Sequence, residues 1–367
     1  MQLTNLVAGL PASVPFVGPE AQERARGREF RARIGANESV FGPSPKALKA
    51  MQDAAAGCWM YADPENHDLR HSLATLHGTE PGNIVVGEGI DGLLGYLVRM
   101  IVEPGARVVT SLGAYPTFNF HVAGYGGELV TVPYRDDFED LDALIAAARE
   151  SGARLVYIAN PDNPMGTFHS AETVEAAIAR LPAGCLMVLD EAYIECAPER
   201  PCGIDTSNAS VIRMRTFSKV HGMAGARVGY AIGHERLIGS FNKIRNHFGM
   251  CRISQVGALA SLGDKAHLEN VIARIEHARR RIAAIAASNG LCALPSAANF
   301  VAIDCGRDGT FARKVLEGLI ARDVFVRMPF VAPQDRCIRV SAGTDSDLDI
   351  FERVLPEALG EASDVSG

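Results

Sequence analysis

The 367-residue sequence predicts an α/β fold built on a mostly parallel sheet with helices on both faces, and three observations carry this prediction. Seven short apolar runs rich in Val, Leu and Ile lie between residues 83 and 233. Such runs, apolar throughout rather than alternating, are what strands buried on both faces require. Alanine-rich segments of helical period separate several of them, as crossover helices between parallel strands would. Beyond a long helical segment at 267–290 the order of elements changes, which marks a second, smaller α+β part.

In chain order the runs are NIVVG (83–87), ARVVTS (106–111), GELVTV (127–132), ARLVYIAN (153–160), CLMVLDEAY (185–193), VIRMRTFSK (211–219) and RVGYAIG (227–233). Seven runs predict a seven-stranded sheet. DLDALIAAARE (140–150) and ETVEAAIARL (172–181) repeat apolar residues at spacings of three and four, so each buries one face of a helix. The helix at 267–290 stops at Gly290 and leads into NFVAIDC (299–305), VFVRM (324–328) and CIRVSAG (337–343). The boundaries expected are an N-terminal segment, 1–45, extended and proline-rich and packing with the small domain, a large domain over 46–280, and a small C-terminal domain over 281–367.

A hydrophobic share of 47% supports a sizeable core. The net charge of -7, with scattered Lys and Arg, argues against a nucleic-acid partner and for a small molecule. No basic segment precedes the N-terminal apolar stretches and prolines interrupt them, so no signal peptide or membrane anchor is expected, and the protein is expected in the cytoplasm. Eight widely spaced cysteines, without a CxxC pair or a Cys/His cluster, predict reduced thiols and no metal site.

The candidate site residues fall at strand ends, where open α/β sheets bind ligands. GEGIDG (87–92) opens a helix whose first N–H groups can hold a phosphate, although glycines in a strand-to-helix turn are common for purely structural reasons. NPDNPMGT (160–167) follows a strand and presents the Asn163 amide, in a segment that reads equally as a turn. LMVLDEAYIE (186–195) places Asp190 at the end of a buried strand, where a carboxylate is costly unless a cation or donors meet it. Lys219 lies in TFSKVHGMAGARVGY (216–230), ahead of Arg227. A lone lysine is usually a solvated surface residue. Together, a lysine able to condense with an aldehyde, an aspartate for a pyridinium nitrogen, a phosphate-binding helix end and a nearby arginine are the parts that pyridoxal phosphate (PLP) catalysis needs.

These motifs, with ANESVFGPSP (36–45), YADPENHDLR (61–70), YPTF (115–118) and CIRVSAGT (337–344), resemble the fold-type I PLP-dependent aminotransferases, and among them the histidinol-phosphate aminotransferase family. The resemblance covers nearly the whole chain and implies an aspartate aminotransferase-like fold, PLP as cofactor, an amino donor and a 2-oxo acid such as 2-oxoglutarate as substrates, and a homodimer with shared sites. It implies that Lys219 binds the cofactor and moves the proton between the substrate α-carbon and C4′ of the cofactor. Asp190 would pair with the ring nitrogen, Tyr193 and Asn163 would meet the phenolic oxygen, and Phe118 would stack on the ring opposite Ala192. The phosphate would be held by backbone N–H groups of Ile90 and Asp91, by Thr216, Ser218 and Arg227, and by Tyr61 of the neighbouring subunit. For substrate, Arg339 matches the family's carboxylate-binding arginine, Arg327 a second basic position, and Asn37 and Phe16 the N-terminal wall.

Departures from the family pattern bear on substrate. Ile90 and Gly92 stand where a small polar and an acidic residue are usual, and Phe16 and Phe118 where tyrosines are usual. Losing the hydroxyl at 16 removes one phosphate donor and favours an apolar substrate end. His247 and Arg252 are expected near the substrate channel or on a helix surface. An aromatic amino acid aminotransferase and a related PLP decarboxylase are therefore kept beside the histidinol-phosphate reading. A ligand-binding regulator is disfavoured by the retained Lys219, Asp190 and Arg227.

Overall fold

A computed structural model describes residues 2–12, 17–199 and 201–364. Its strands are β1 (Ala32–Arg33), β2 (Ile84–Gly87), β3 (Arg107–Ser111), β4 (Glu128–Val132), β5 (Leu155–Ala159), β6 (Leu186–Asp190), β7 (Val211–Thr216), β8 (Gly229–Gly233), β9 (Cys292–Ala293), β10 (Phe300–Asp304), β11 (Val324–Phe325) and β12 (Cys337–Ser341). The large sheet has seven strands in the order β2-β8-β7-β6-β5-β3-β4. β8 runs antiparallel to both its neighbours, and the other adjacent pairs are parallel.

Alternate residues of the central strands feed opposite cores, as the two-residue period of a strand dictates. Leu155 and Tyr157 of β5 and Leu186 and Val188 of β6 join Leu93, Leu97 and Phe118 on one side. Val156, Ile158, Met187 and Leu189 pack on the other side against Leu144, Ile145 and Val174. The helices that cover this second face, Leu141–Ser151 and Ala171–Ala179, begin at Asp140 and Ser170, whose side chains accept the Ala143 and Thr173 N–H groups. Each cap satisfies a donor that the first turn leaves without an intrahelical partner.

The C-terminal part is a three-stranded antiparallel sheet, β12-β10-β9, packed with helices Lys265–Ser288, Gly309–Ala321 and Asp345–Asp364 around Ile282, Val301, Leu319 and Phe351. β1 pairs in parallel with β11, so the N-terminal segment joins this core through Ala32 and Ile34. That segment is less extended than expected. Pro19–Arg26 forms a helix with Pro19 in its first turn, where a missing N–H breaks no hydrogen bond.

Candidate active site

One cavity of about 400 Å³ opens at the ends of β5, β6 and β7, with Ala159, Asp190 and Thr216 on its wall. Because β8 runs the opposite way, the residues before it, and Arg227 among them, reach the same edge as the residues that follow β6 and β7. Helix Gly89–Ile101 starts at this edge and turns Ile90 and Asp91 into the wall. Gly89 has φ 77° and Gly229 packs on the Gly89–Ile90 backbone so closely that a Cβ there would overlap it. The two glycines thus let the helix N-terminus come down onto the sheet.

Around that N-terminus the polar groups converge. The Ser218 N–H donates to Thr216 Oγ1 at 3.0 Å, and Thr216 Oγ1 lies 2.9 Å from Ser218 Oγ. Arg227, itself in the left-handed region at φ 53°, donates to the Ala224 carbonyl at 2.9 Å and to Ser218 Oγ at 3.5 Å. Hydroxyls, a guanidinium and free helix N–H groups form a donor set suited to a phosphate.

Asp190 ends β6 and is 5% exposed. The Ala192 N–H donates to its Oδ1 at 2.9 Å and the Tyr157 hydroxyl to its Oδ2 at 2.7 Å. Burial pushes the carboxyl up to about 6, opposed by the Tyr157 and Ala192 hydrogen bonds and the Lys219 charge. Lys219 faces the same cavity; its Nζ donates to the Asn37 carbonyl at 3.1 Å and lies 5.2 Å from the Tyr193 ring centroid. Burial lowers its ammonium to about 8, helped by the Arg339 charge, so a usable fraction is the nucleophilic free amine near neutral pH.

Asn37, at φ 56°, ties the N-terminal segment to the site. Its side-chain amide donates to the Tyr193 hydroxyl at 3.1 Å, and the Asn163 amide approaches the same oxygen at 3.4 Å. With both lone pairs of that oxygen engaged, the Tyr193 proton is left to donate into the cavity. Burial raises the Tyr193 phenol to about 12, which keeps that proton in place at neutral pH.

Arg339 and Arg327 sit opposite each other across a two-bond backbone bridge, which brings both guanidinium groups to one end of the cavity. Arg339 is 9% exposed and donates to the Asn163 side-chain oxygen. It has no salt bridge among the described residues, and its Nε has no hydrogen-bond partner. Arg327 donates to the Val17 carbonyl at 3.0 Å.

The cavity thus gathers Ile90, Asp91, Asn163, Ala192, Tyr193, Lys219 and most of the sequence-predicted set, with the following departures. Phe118 does not reach it. The ring is fully buried, stacked on Tyr157 at 4.4 Å between centroids, because helix Pro116–Gly124 turns its first-turn residue inward against the sheet. Tyr115, one residue before that helix, lines the cavity instead. Tyr61 is 79% exposed and packs on Phe248, away from this chain's own cavity. His247 is exposed and Arg252 donates to the Tyr61 carbonyl at 2.8 Å; neither lines the cavity. Phe16 lies outside the described residues. Sequence reasoning also missed Tyr157 and Glu38 in the wall.

Comparison with known proteins identifies the family. The aminotransferase class I and II family model matches residues 33–355. A histidinol-phosphate aminotransferase of Roseiflexus castenholzii is 34% identical over 360 residues, spanning 96% of this chain and 96% of that protein. One from Moorella thermoacetica is 32% identical over 351 residues, 94% of this chain and 90% of that protein. The crystal structure of the Sinorhizobium meliloti histidinol-phosphate aminotransferase in complex with pyridoxal-5'-phosphate is 53% identical, with a TM-score of 0.95 over 98% of each chain. Aspartate aminotransferase of Thermus thermophilus, 21% identical over 97% of this chain and all of that one, shares the fold with a TM-score of 0.79. The chain belongs to the class I and II aminotransferases and, within them, to the histidinol-phosphate aminotransferase family.

Proposed function

We propose that this PLP-dependent aminotransferase moves an amino group between histidinol phosphate and the 2-oxoglutarate/glutamate pair. The observation that carries the reading is Arg339: a buried guanidinium without an anionic partner among the described residues, beside a second arginine at the same end of the cavity. A buried cation in that state calls for an anionic ligand. Glutamate brings an α-carboxylate, and histidinol phosphate, which has none, brings a phosphate; a planar guanidinium accepts either in bidentate fashion.

Bound here, the cofactor supplies an aldehyde that takes up the amino group and a ring that draws electrons from the α-carbon. The donors at Ile90, Asp91, Thr216, Ser218 and Arg227 fit its phosphate, Asp190 its ring nitrogen, and Tyr193 and Asn163 its phenolic oxygen. Ala192 and Tyr115 would flank the ring, Tyr115 taking the role expected of Phe118. Lys219 Nζ would hold the cofactor at its aldehyde carbon and, once substrate has taken that place, would be the base that accepts the α-proton and gives it up on the cofactor side of the transferred nitrogen. Asp190 stays charged and holds the proton on the ring nitrogen through the opposite charge.

A homodimer is part of the proposal. Trp59, Tyr61 and Phe248 are 82%, 79% and 55% exposed, an apolar group that a second copy would cover while carrying Tyr61 to the partner's phosphate site. The division at 45 and 280 and a cytoplasmic location belong to the same reading; among the described residues no helix is long and apolar enough to cross a membrane.

An aromatic amino acid is the second reading, favoured by the largely apolar recess of Tyr115, Pro116, Pro164, Met328 and Phe330 beside the two arginines. Single-turnover reactions of the purified holoenzyme with histidinol phosphate, phenylalanine, tyrosine and glutamate, followed by the cofactor's visible absorbance, separate the two. Histidinol phosphate and glutamate should react fastest. Fast reaction of phenylalanine with none of histidinol phosphate would defeat the lead reading.

A further inference from the structure

Tyr157 stands in the middle of β5, a strand otherwise composed of Leu, Val, Ile and Ala. Its side chain is fully buried, yet it belongs to the cavity wall. β5 and β6 pair in parallel with Tyr157 opposite Val188 and Ala159 opposite Asp190, so Tyr157 and Asp190 share a sheet face two residues apart in register. The hydroxyl spans that step and donates to Asp190 Oδ2 at 2.7 Å. Phe118 lies flat on the Tyr157 ring, at an interplanar angle of 17°, and fixes the direction of the hydroxyl.

We infer that Tyr157 is a positioning residue for the cofactor: clamped by Phe118, it donates to Asp190 and keeps that carboxylate charged and aimed at the ring nitrogen. This rests on the reading that Asp190 meets that nitrogen. Among the groups around Asp190, Lys219 favours its charge, whereas Glu191 opposes it; Tyr193, Tyr115 and Glu139 are within its field. The Ala192 N–H holds only Oδ1, so without Tyr157 the buried Oδ2 loses its protein donor. The carboxylate would then take up a proton at higher pH and lose the charge that pairs with the ring nitrogen.

The test is PLP affinity of the apoenzyme, by absorbance titration over a range of pH, for the wild type, Tyr157→Phe, Asp190→Asn and the double variant. Tyr157→Phe should raise the PLP Kd about 10- to 100-fold at neutral pH, and move the acid-side loss of affinity upward by about one to two pH units. In the Asp190→Asn background the same change should alter Kd less than about threefold, since its partner charge is gone. Phe118→Leu, which frees the ring but keeps the donor, should move the acid limb the same way by a smaller step. An unmoved acid limb in both Tyr157→Phe and Phe118→Leu, or an equal effect of Tyr157→Phe with and without the Asp190 carboxylate, overturns the inference. If Asp190→Asn itself leaves PLP affinity intact, the assignment of Asp190 fails first.

Discussion

Replacing Arg339 by methionine sets stability against turnover. Burial, with the like charge of Arg327, lowers the Arg339 guanidinium well below its ordinary range, to about 10. The folded value lies below the unfolded one, so the folded state carries the full penalty at neutral pH and sheds it only as pH rises through about 10 and beyond. A difference of that size is roughly 3 kcal/mol. Against it stand the hydrogen bond to Asn163 and the Phe300 ring, 5.1 Å from the guanidinium carbon, together worth roughly 1–2 kcal/mol. Methionine occupies similar space without charge. The ligand-free variant should therefore be about 1–2 kcal/mol more stable, read as a higher urea midpoint at unchanged slope. With substrate the sign reverses. Removing one partner of a buried charge pair costs roughly 2–5 kcal/mol, so kcat/KM should fall about 30-fold to several thousandfold. A variant that is less stable without ligand, or that keeps kcat/KM within about threefold, refutes the reasoning.

Other consequences follow from the same geometry. Since Lys219 titrates at about 8 and only its neutral form attacks an aldehyde, the rate of PLP uptake by apoenzyme should climb about tenfold per pH unit up to that value and level off above it; a stopped-flow pH series checks this, and a flat profile contradicts it. Glu191 accepts from Arg213 at 2.6 Å and from Arg215 at 2.7 Å, with all three side chains nearly or fully buried. Glu191→Gln strands two buried cations and should cost about 3–5 kcal/mol in urea unfolding. Tyr115→Ala should weaken PLP binding about tenfold with little change in apoenzyme stability, whereas Phe118→Ala should destabilise the apoenzyme by about 3–5 kcal/mol. The reverse pattern would restore Phe118 as the stacking residue.

Much of this was legible because burial leaves a plain signature. Strands covered on both faces must be apolar throughout, so the seven runs stand out, and a carboxylate ending one of them, Asp190, is conspicuous by its cost. Less visible was the exchange of Phe118 for Tyr115. The signal was Pro116, which suits the first position of a helix and so turns Phe118 into the core and leaves Tyr115 at the mouth. Tyr157 could have been found by parity, since 157 and 159 of β5 and 188 and 190 of β6 alternate together, but the pairing register that makes them neighbours is not written in either strand. The convergence of Asn37 on Lys219 and Tyr193 depends on a contact across more than 150 residues, which local pattern does not carry.

The central claim, that Lys219 carries the cofactor, is tested most directly by reducing the holoenzyme with borohydride and locating the added mass by peptide mass spectrometry. One PLP-derived label is expected, on Lys219, with Lys46, Lys49, Lys243, Lys265 and Lys314 unmodified. A label on any of those five in place of Lys219, or a Lys219→Ala variant that still transaminates at the wild-type rate, would contradict it.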